Sequence, residues 1–162
     1  MATALESILV AKRNLNKQKK GNYWDTKCLE EMSEAEWESI CDGCGLCCLT
    51  KLQDDETEEI VYTRVVCEYS DQITGQCSDY ANRSKNVPTC VPLTRKRVAK
   101  FDWLPDTCGY RILDRGDKLF KWHPLNSGIA ESVTLAGVGV LAIPLVVNQP
   151  NLNFEQYLME KP

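Results

Sequence analysis

The stretch Cys41-Asp42-Gly43-Cys44-Gly45-Leu46-Cys47-Cys48 puts four cysteines into eight residues. Each Cys-x-x-Cys step is about one tight turn, so three or four sulfurs are brought toward one point. Gly43 and Gly45 relieve the backbone where such turns need unusual dihedrals, and their N–H groups can face sulfur. Thiolates packed this closely repel one another unless a cation neutralises them. The pattern therefore points to metal, against the alternative of inert buried thiols.

The rest of the chain supplies five more cysteines, Cys28, Cys67, Cys77, Cys90 and Cys108. Zinc sites usually pair two Cys-x2-Cys knuckles. No second knuckle is present here, because the last four cysteines are separated by 9, 12 and 17 residues. Three cysteines in Cys-x2-Cys-x2-Cys with a distant fourth is how many [4Fe–4S] clusters are held. Cys41, Cys44, Cys47, Cys48, Cys67, Cys77, Cys90 and Cys108 are the candidate metal ligands, and Cys28 is read as a spectator. Eight thiols fill one cluster plus a further site, or two zinc sites. The expected cofactor is an iron–sulfur cluster of the [4Fe–4S] type, with zinc as the alternative. Side chains of adjacent residues diverge, so Cys47 and Cys48 are expected to serve different sites. The spacing permits several pairings of the later cysteines; the one adopted sets Cys47 with Cys41, Cys44 and Cys90, and Cys48 with a set drawn from Cys67, Cys77 and Cys108.

Outside the cysteines the composition is ordinary. The chain has 162 residues, 43% hydrophobic and 26% charged, with 19 basic against 23 acidic side chains and a net charge of −4. That balance argues against a protein whose main work is coating nucleic acid. The N-terminus carries Glu6 early and its positive charge after a short apolar cluster, the reverse of a secretory signal. A cytoplasmic location is expected, where thiols stay reduced and clustered cysteines act as ligands or redox groups. Ile129 to Val147 is long enough to span a bilayer. It is broken by Glu131, Gly137, Gly139 and Pro144 and rich in β-branched residues, so two buried strands are expected and no transmembrane segment.

The layout predicts an α+β fold: a small cysteine-rich, metal-stabilised domain over 22–162, preceded by an amphipathic helical arm over 1–21. Thr3 and Glu6 have capping-box spacing, with Lys12, Arg13, Lys17, Lys19 and Lys20 in the last turns. Ser33 and Glu36 repeat the spacing before Trp37 and Ile40. The acidic run Asp54–Glu59 lacks the spacing of a calcium loop and reads as a solvated turn. Ile60 to Val66 is a strand, and Ser70 to Gln76 is a turn closing on Cys77. Pro88 and Pro92 suggest extended backbone at Cys90. Thr94 is expected to open a short basic helix with Arg95, Lys96, Arg97 and Lys100. Asp106 is expected to cap a helix that carries Cys108 and ends at Gly116. Asn153 should cap a last helix that buries Phe154, Tyr157 and Leu158. His123 is a candidate ligand or proton shuttle, against a plain packing role between Trp122 and Pro124.

These residues resemble the YcgN/YkgJ-type bacterial cysteine-cluster family, named for a CxxCxxCC motif and described as zinc- or iron-chelating. The resemblance runs over roughly residues 22–160 and is nearest the YcgN branch. It is carried by Glu34–Glu38, the Cys41–Cys48 stretch, Cys67, Cys77 with Tyr80 and Arg83, and Cys90 with Leu93-Thr94. Trp103-Leu104-Pro105, Cys108-Gly109-Tyr110-Arg111, Trp122–Leu125 and Glu131-Ser132-Val133 complete it. It implies a chelating domain and no established reaction. The segment before Gly21 lies outside it, and after Gly137 this chain is more apolar than the family tends to be.

Three functions follow from these readings. The first is a metal-binding protein acting as a redox or metal-handling module, with an unidentified protein partner. It rests on an inventory of thiols with no phosphate loop and no nucleophile–His pair. The second is a cluster-dependent enzyme or enzyme component, because a related cysteine motif occurs in flagellin lysine methylases. The third is a nucleic-acid or protein adaptor with structural zinc, using Arg95, Lys96, Arg97 and Lys100; nothing else marks a nucleic-acid partner.

Overall fold

A computed structural model describes residues 21–162. The expected helix over 3–20 lies outside the described residues.

Ser33 caps the helix Glu34–Glu38 as the spacing requires. Its Oγ accepts the Glu36 N–H at 3.2 Å, and the Glu36 carboxylate accepts the Ser33 N–H at 2.8 Å. This helix (α2) follows a single turn, α1, at Tyr23–Thr26. It presents Trp37 to a first core containing Leu29, Met32, Ile40, Val98, Leu104 and Tyr110. The Trp37 and Tyr110 rings lie 4.3 Å apart between centroids, a tilted contact that adds to burial.

The sheet forms a second layer. Strand β1 (Leu49–Gln53) pairs antiparallel with β2 (Ile60–Val66), and the register shifts between Leu49 and Lys51. The other edge of β2 is shared. Val65 and Val66 pair in parallel with β3 (Val146–Val147), and Tyr62 and Thr63 pair antiparallel with β4 (Leu158–Met159). The central strand is thus buried at Tyr62, Thr63, Val65 and Val66. With Leu46, Leu49 and Val140, Tyr62 and Val66 make a second core. The Tyr62 hydroxyl donates to the Trp103 carbonyl and so ties the second core to the wall of the first. The architecture is α+β, as expected.

Two turns share one construction. Asp54 Oδ1 accepts the N–H groups of Glu56 and Thr57 and the Thr57 hydroxyl. Asp71 Oδ1 does the same for Ile73, Thr74 and the Thr74 hydroxyl. Local acceptance by an Asp side chain favours turn over strand. The acidic run is therefore the β1–β2 hairpin turn, and the Asp71 turn sets Ser70 against Cys77.

Four sequence expectations are corrected. Ile129–Val147 does not form two strands. It contains the helical turn α6 (Ser132–Leu135), a 3₁₀ turn at Val140–Ala142 and only the two-residue β3. The Val140 N–H is spent on the Cys44 carbonyl at 2.8 Å, so this backbone braces the cysteine turn and cannot serve a second ladder. No helix among the described residues is long and apolar enough to cross a membrane. The last helix is instead a 3₁₀ turn, Phe154–Tyr157, capped by Asn153; the open edge of β2 then captures Leu158 as strand and leaves it half exposed. The segment after Thr94 is likewise a 3₁₀ turn, Val98–Lys100, tied to the Thr94 carbonyl. Helix α4 begins only at Gly109 and runs to Asp114, with α3 (Arg83–Asn86) before it. Its N-cap is Cys108, because Asp106 is drawn into ion pairs with Arg111 at 3.2 Å and Arg115 at 3.6 Å.

Candidate metal centre

Ile40 packs in the first core and Leu46 in the second. The cysteine stretch is the strap between them. Gly45 takes φ +70° at the entry to the 3₁₀ turn Leu46–Cys48, and a Cβ there would lie 2.7 Å from the Gly75 carbonyl. Gly109 is required by close approach alone: a Cβ would lie 2.5 Å from the Ile40 carbonyl. That approach brings the start of α4, and with it Cys108, against the strap.

Electrostatic reach gives the thiols two overlapping neighbourhoods. Cys41 feels Cys47 and Cys108, and Cys44 feels Cys41 and Cys47. Cys48 feels Cys67, Cys77 and Cys90, and Cys90 in turn feels Cys47 as well as Cys67 and Cys77. The neighbouring Cys47 thiol holds Cys48 below the usual thiol range, while Cys48 raises Cys47. Relative to the sequence-based pairing, Cys108 joins Cys41 and Cys47, while Cys90 reaches both Cys47 and the thiols Cys67 and Cys77. Cys108 opens the helix that Gly109 seats on the Ile40 carbonyl, whereas Cys90 closes the turn from Val87, its N–H on the Val87 carbonyl at 2.8 Å. Cys28 stands apart at the head of the turn Leu29–Glu31.

Packing disfavours bare thiolates here. Cys41 and Cys47 keep exposed surface, yet the protein around their sulfurs raises both, Cys41 to about 12. Burial pushes Cys108 up to about 11, with the Tyr110 and Arg111 N–H groups pulling the other way. Among the described residues no three His, Cys, Asp or Glu side chains converge closely enough to hold an ion as they stand. The thiols would turn inward to meet one.

Asp42 marks where a cation fits. The residue is 7% exposed. Its Oδ1 accepts the Cys44 N–H at 3.0 Å, while Oδ2 is buried without a partner. An unpartnered buried acceptor costs about 1–3 kcal/mol, and this one lies within reach of Cys41, Cys44 and Cys108. A soft or borderline metal suits such a donor set. Asp42→Asn keeps the acceptor for Cys44 and removes the stranded charge. It is expected to weaken zinc binding about tenfold, equivalent to roughly 1.4 kcal/mol, in competition with a chromophoric chelator. Unchanged or tighter binding would contradict this role.

His123 is not a ligand in this arrangement. It is 1% exposed. Nε2 lies 3.0 Å from the Ile40 carbonyl, and Nδ1 accepts the Leu125 N–H at 3.2 Å, capping α5 (Pro124–Ser127). Those partners fix the neutral Nε2–H tautomer, and burial lowers its pKa from 6.5. A buried base whose folded pKa is depressed contributes stability that is complete above its unfolded pKa, near 6.5, and is lost as pH falls below it. The metal-loaded protein should therefore lose stability on acidification from about pH 7.5 to about pH 5, and His123→Gln should lose less. Equal losses in urea unfolding would contradict this assignment.

Lys51 was not singled out by the sequence, because nothing in Leu49-Thr50-Lys51-Leu52 announces a bulge. Such irregularities re-aim side chains. The Lys51 ammonium folds back over the strap and donates to the carbonyls of Leu46 (3.3 Å), Cys47 (3.2 Å) and Leu49 (2.7 Å). It also sits 4.8 Å over the Tyr62 ring and 5.0 Å over Trp103. Burial lowers it to about 8, opposed by Cys47, Cys48 and Cys44. The basic run proposed for an adaptor is partly spent inside the fold: Arg95 pairs with Glu34 at 2.8 Å and stacks over Trp37, and Arg97 covers Phe101.

This fold and thiol set define a cysteine-cluster protein, and residues 40–109 match the CxxCxxCC family model, described as "Putative zinc- or iron-chelating domain". That description supports metal binding in general and does not choose between zinc and iron. The chain belongs to the UPF0260 family. It is 48% identical over 141 residues to a UPF0260 protein of Sinorhizobium fredii, covering 86% of this chain and 91% of that one. A UPF0260 protein of Mesorhizobium japonicum is 49% identical over 144 residues (86% and 97% covered). One from Rhizorhabdus wittichii is 56% identical over 118 residues (73% and 81% covered). No solved structure matches the chain.

Proposed function

We propose that this protein is a redox or metal-handling module with two thiolate centres back to back on the strap. Cys41, Cys44, Cys47 and Cys108 form the first, and Cys48, Cys67, Cys77 and Cys90 the second. The observation that carries the reading is that Gly109 seats Cys108 beside Cys41, while Cys48 is reached by Cys67, Cys77 and Cys90; Cys90 also reaches Cys47, where the two sets adjoin. The first set has the Cys-x2-Cys-x2-Cys spacing and remote fourth cysteine of a [4Fe–4S] cluster, which supplies one-electron chemistry when bound. The second set, singly spaced, suits a structural ion that pins the Asp71 turn and the Cys90 segment to β2.

A second reading is favoured by the count of four thiols in each set, the closed coordination of structural zinc. Both centres would then hold zinc, and the protein would be a scaffold for a partner. Purification without oxygen separates the readings. Brown protein with about four iron and four sulfide per chain supports the cluster, and colourless protein with about two zinc supports the scaffold. Protein that carries no metal after purification and takes none up would overturn both.

A further inference from the structure

We propose that Lys51 is the shared countercharge of the two thiolate centres, offsetting the negative charge that gathers at Cys47 and Cys48 when both are loaded. The inference rests on the two-centre reading above and deepens it. A half-buried ammonium ordinarily meets a carboxylate, because a desolvated charge without a counter-ion is costly. Among the described residues the ion pairs join Lys27, Arg95, Arg111, Arg115 and Lys161 to acidic side chains, and Lys51 to none.

What surrounds Lys51 instead is the back of the ligand-bearing turn. Three carbonyls, at 2.7 to 3.3 Å, belong to Leu46, Cys47 and Leu49, and two aromatic faces close the other side. Among the described residues the acidic groups acting on it are the Cys47, Cys48 and Cys44 thiols, which become anionic on binding metal. Four thiolates around one divalent ion leave a net charge of about −2, and two such centres on adjacent residues repel. A cation held at the joint between Cys47 and Cys48 lowers that repulsion. It also fixes the carbonyls so that neither sulfur turns away. Lys51 is a positioning residue: it acts through the cysteines and touches no ion itself.

The test separates charge from hydrogen bonding. Lys51→Gln keeps a donor for the carbonyls without charge, Lys51→Met removes both, and Lys51→Arg keeps the charge. Zinc affinity of each full-length protein is read by competition with a chromophoric chelator under reducing conditions, beside a circular dichroism spectrum. The expected result is that Gln and Met weaken both equivalents of zinc by about tenfold or more while Arg stays within about threefold. Gln binding like the unsubstituted chain, or one equivalent weakening alone, would overturn the proposal. If the Gln and Met proteins fail to fold, Arg decides. An Arg protein that folds and binds two zinc ions supports the countercharge; one that fails to fold or to bind overturns it. If the unsubstituted chain binds no zinc or iron, the two-centre reading fails first and this one with it.

Discussion

Stripping metal from the protein under reducing conditions is expected to abolish its cooperative unfolding transition. Among the described residues the longest α-helix is the six-residue α4, and isolated helices this short do not persist in water. Two of the four strands have two residues each. The Cys41–Cys48 strap and the Tyr62–Trp103 hydrogen bond join the two cores, and among the described residues packing alone brings no three thiols close enough to hold an ion. Thiolate sites contribute apparent binding free energies of about 10–16 kcal/mol, and a domain has roughly 5–15 kcal/mol of net stability. Losing the ions should therefore remove most of the stability. Calorimetry of the protein before and after prolonged chelation measures it, and re-addition of metal should restore the transition. A melt unchanged by verified metal loss would contradict a metal-stabilised fold.

The second large effect is expected from single ligands. Cys108→Ser should empty the first centre and leave the second loaded. Cys90→Ser should do the reverse, because a closed four-ligand site tolerates little loss. Cys28→Ser should keep full stoichiometry. The pairing matters because each variant reports a different ion: metal content falls in both, but the spectrum of the first centre is lost only in Cys108→Ser. Loss of the same signal in both variants would show one centre, and full loading of both would remove Cys90 and Cys108 from the ligand set.

Much of the fold and of the thiol inventory was legible in the residues themselves. The Ser33–Glu36 box, the β2 strand and the acidic hairpin turn are local effects, and local chemistry writes them into a few consecutive positions. The approach of Cys108 to Cys41 was not legible, because it depends on where Gly109 lets α4 approach Ile40, a contact between distant segments. The Val138–Val147 segment misled for a related reason. Its β-branched residues favour strand, but the Val140 N–H finds the Cys44 carbonyl first. Lys51 and Asp42 were hidden too, since a bulge aims one and the burial of the strap isolates the other. His123 offered two readings, and its two backbone partners decide for packing.

X-ray absorption at the metal edge, on protein purified without oxygen, tests the thiolate centres most directly. The expected result is a shell of sulfur alone, about 2.3 Å from any zinc, with the edge intensity per protein reduced by one centre in Cys108→Ser and in Cys90→Ser. A shell of nitrogen or oxygen around the metal, or an edge undiminished in both variants, would contradict the assignment of these cysteines as its ligands.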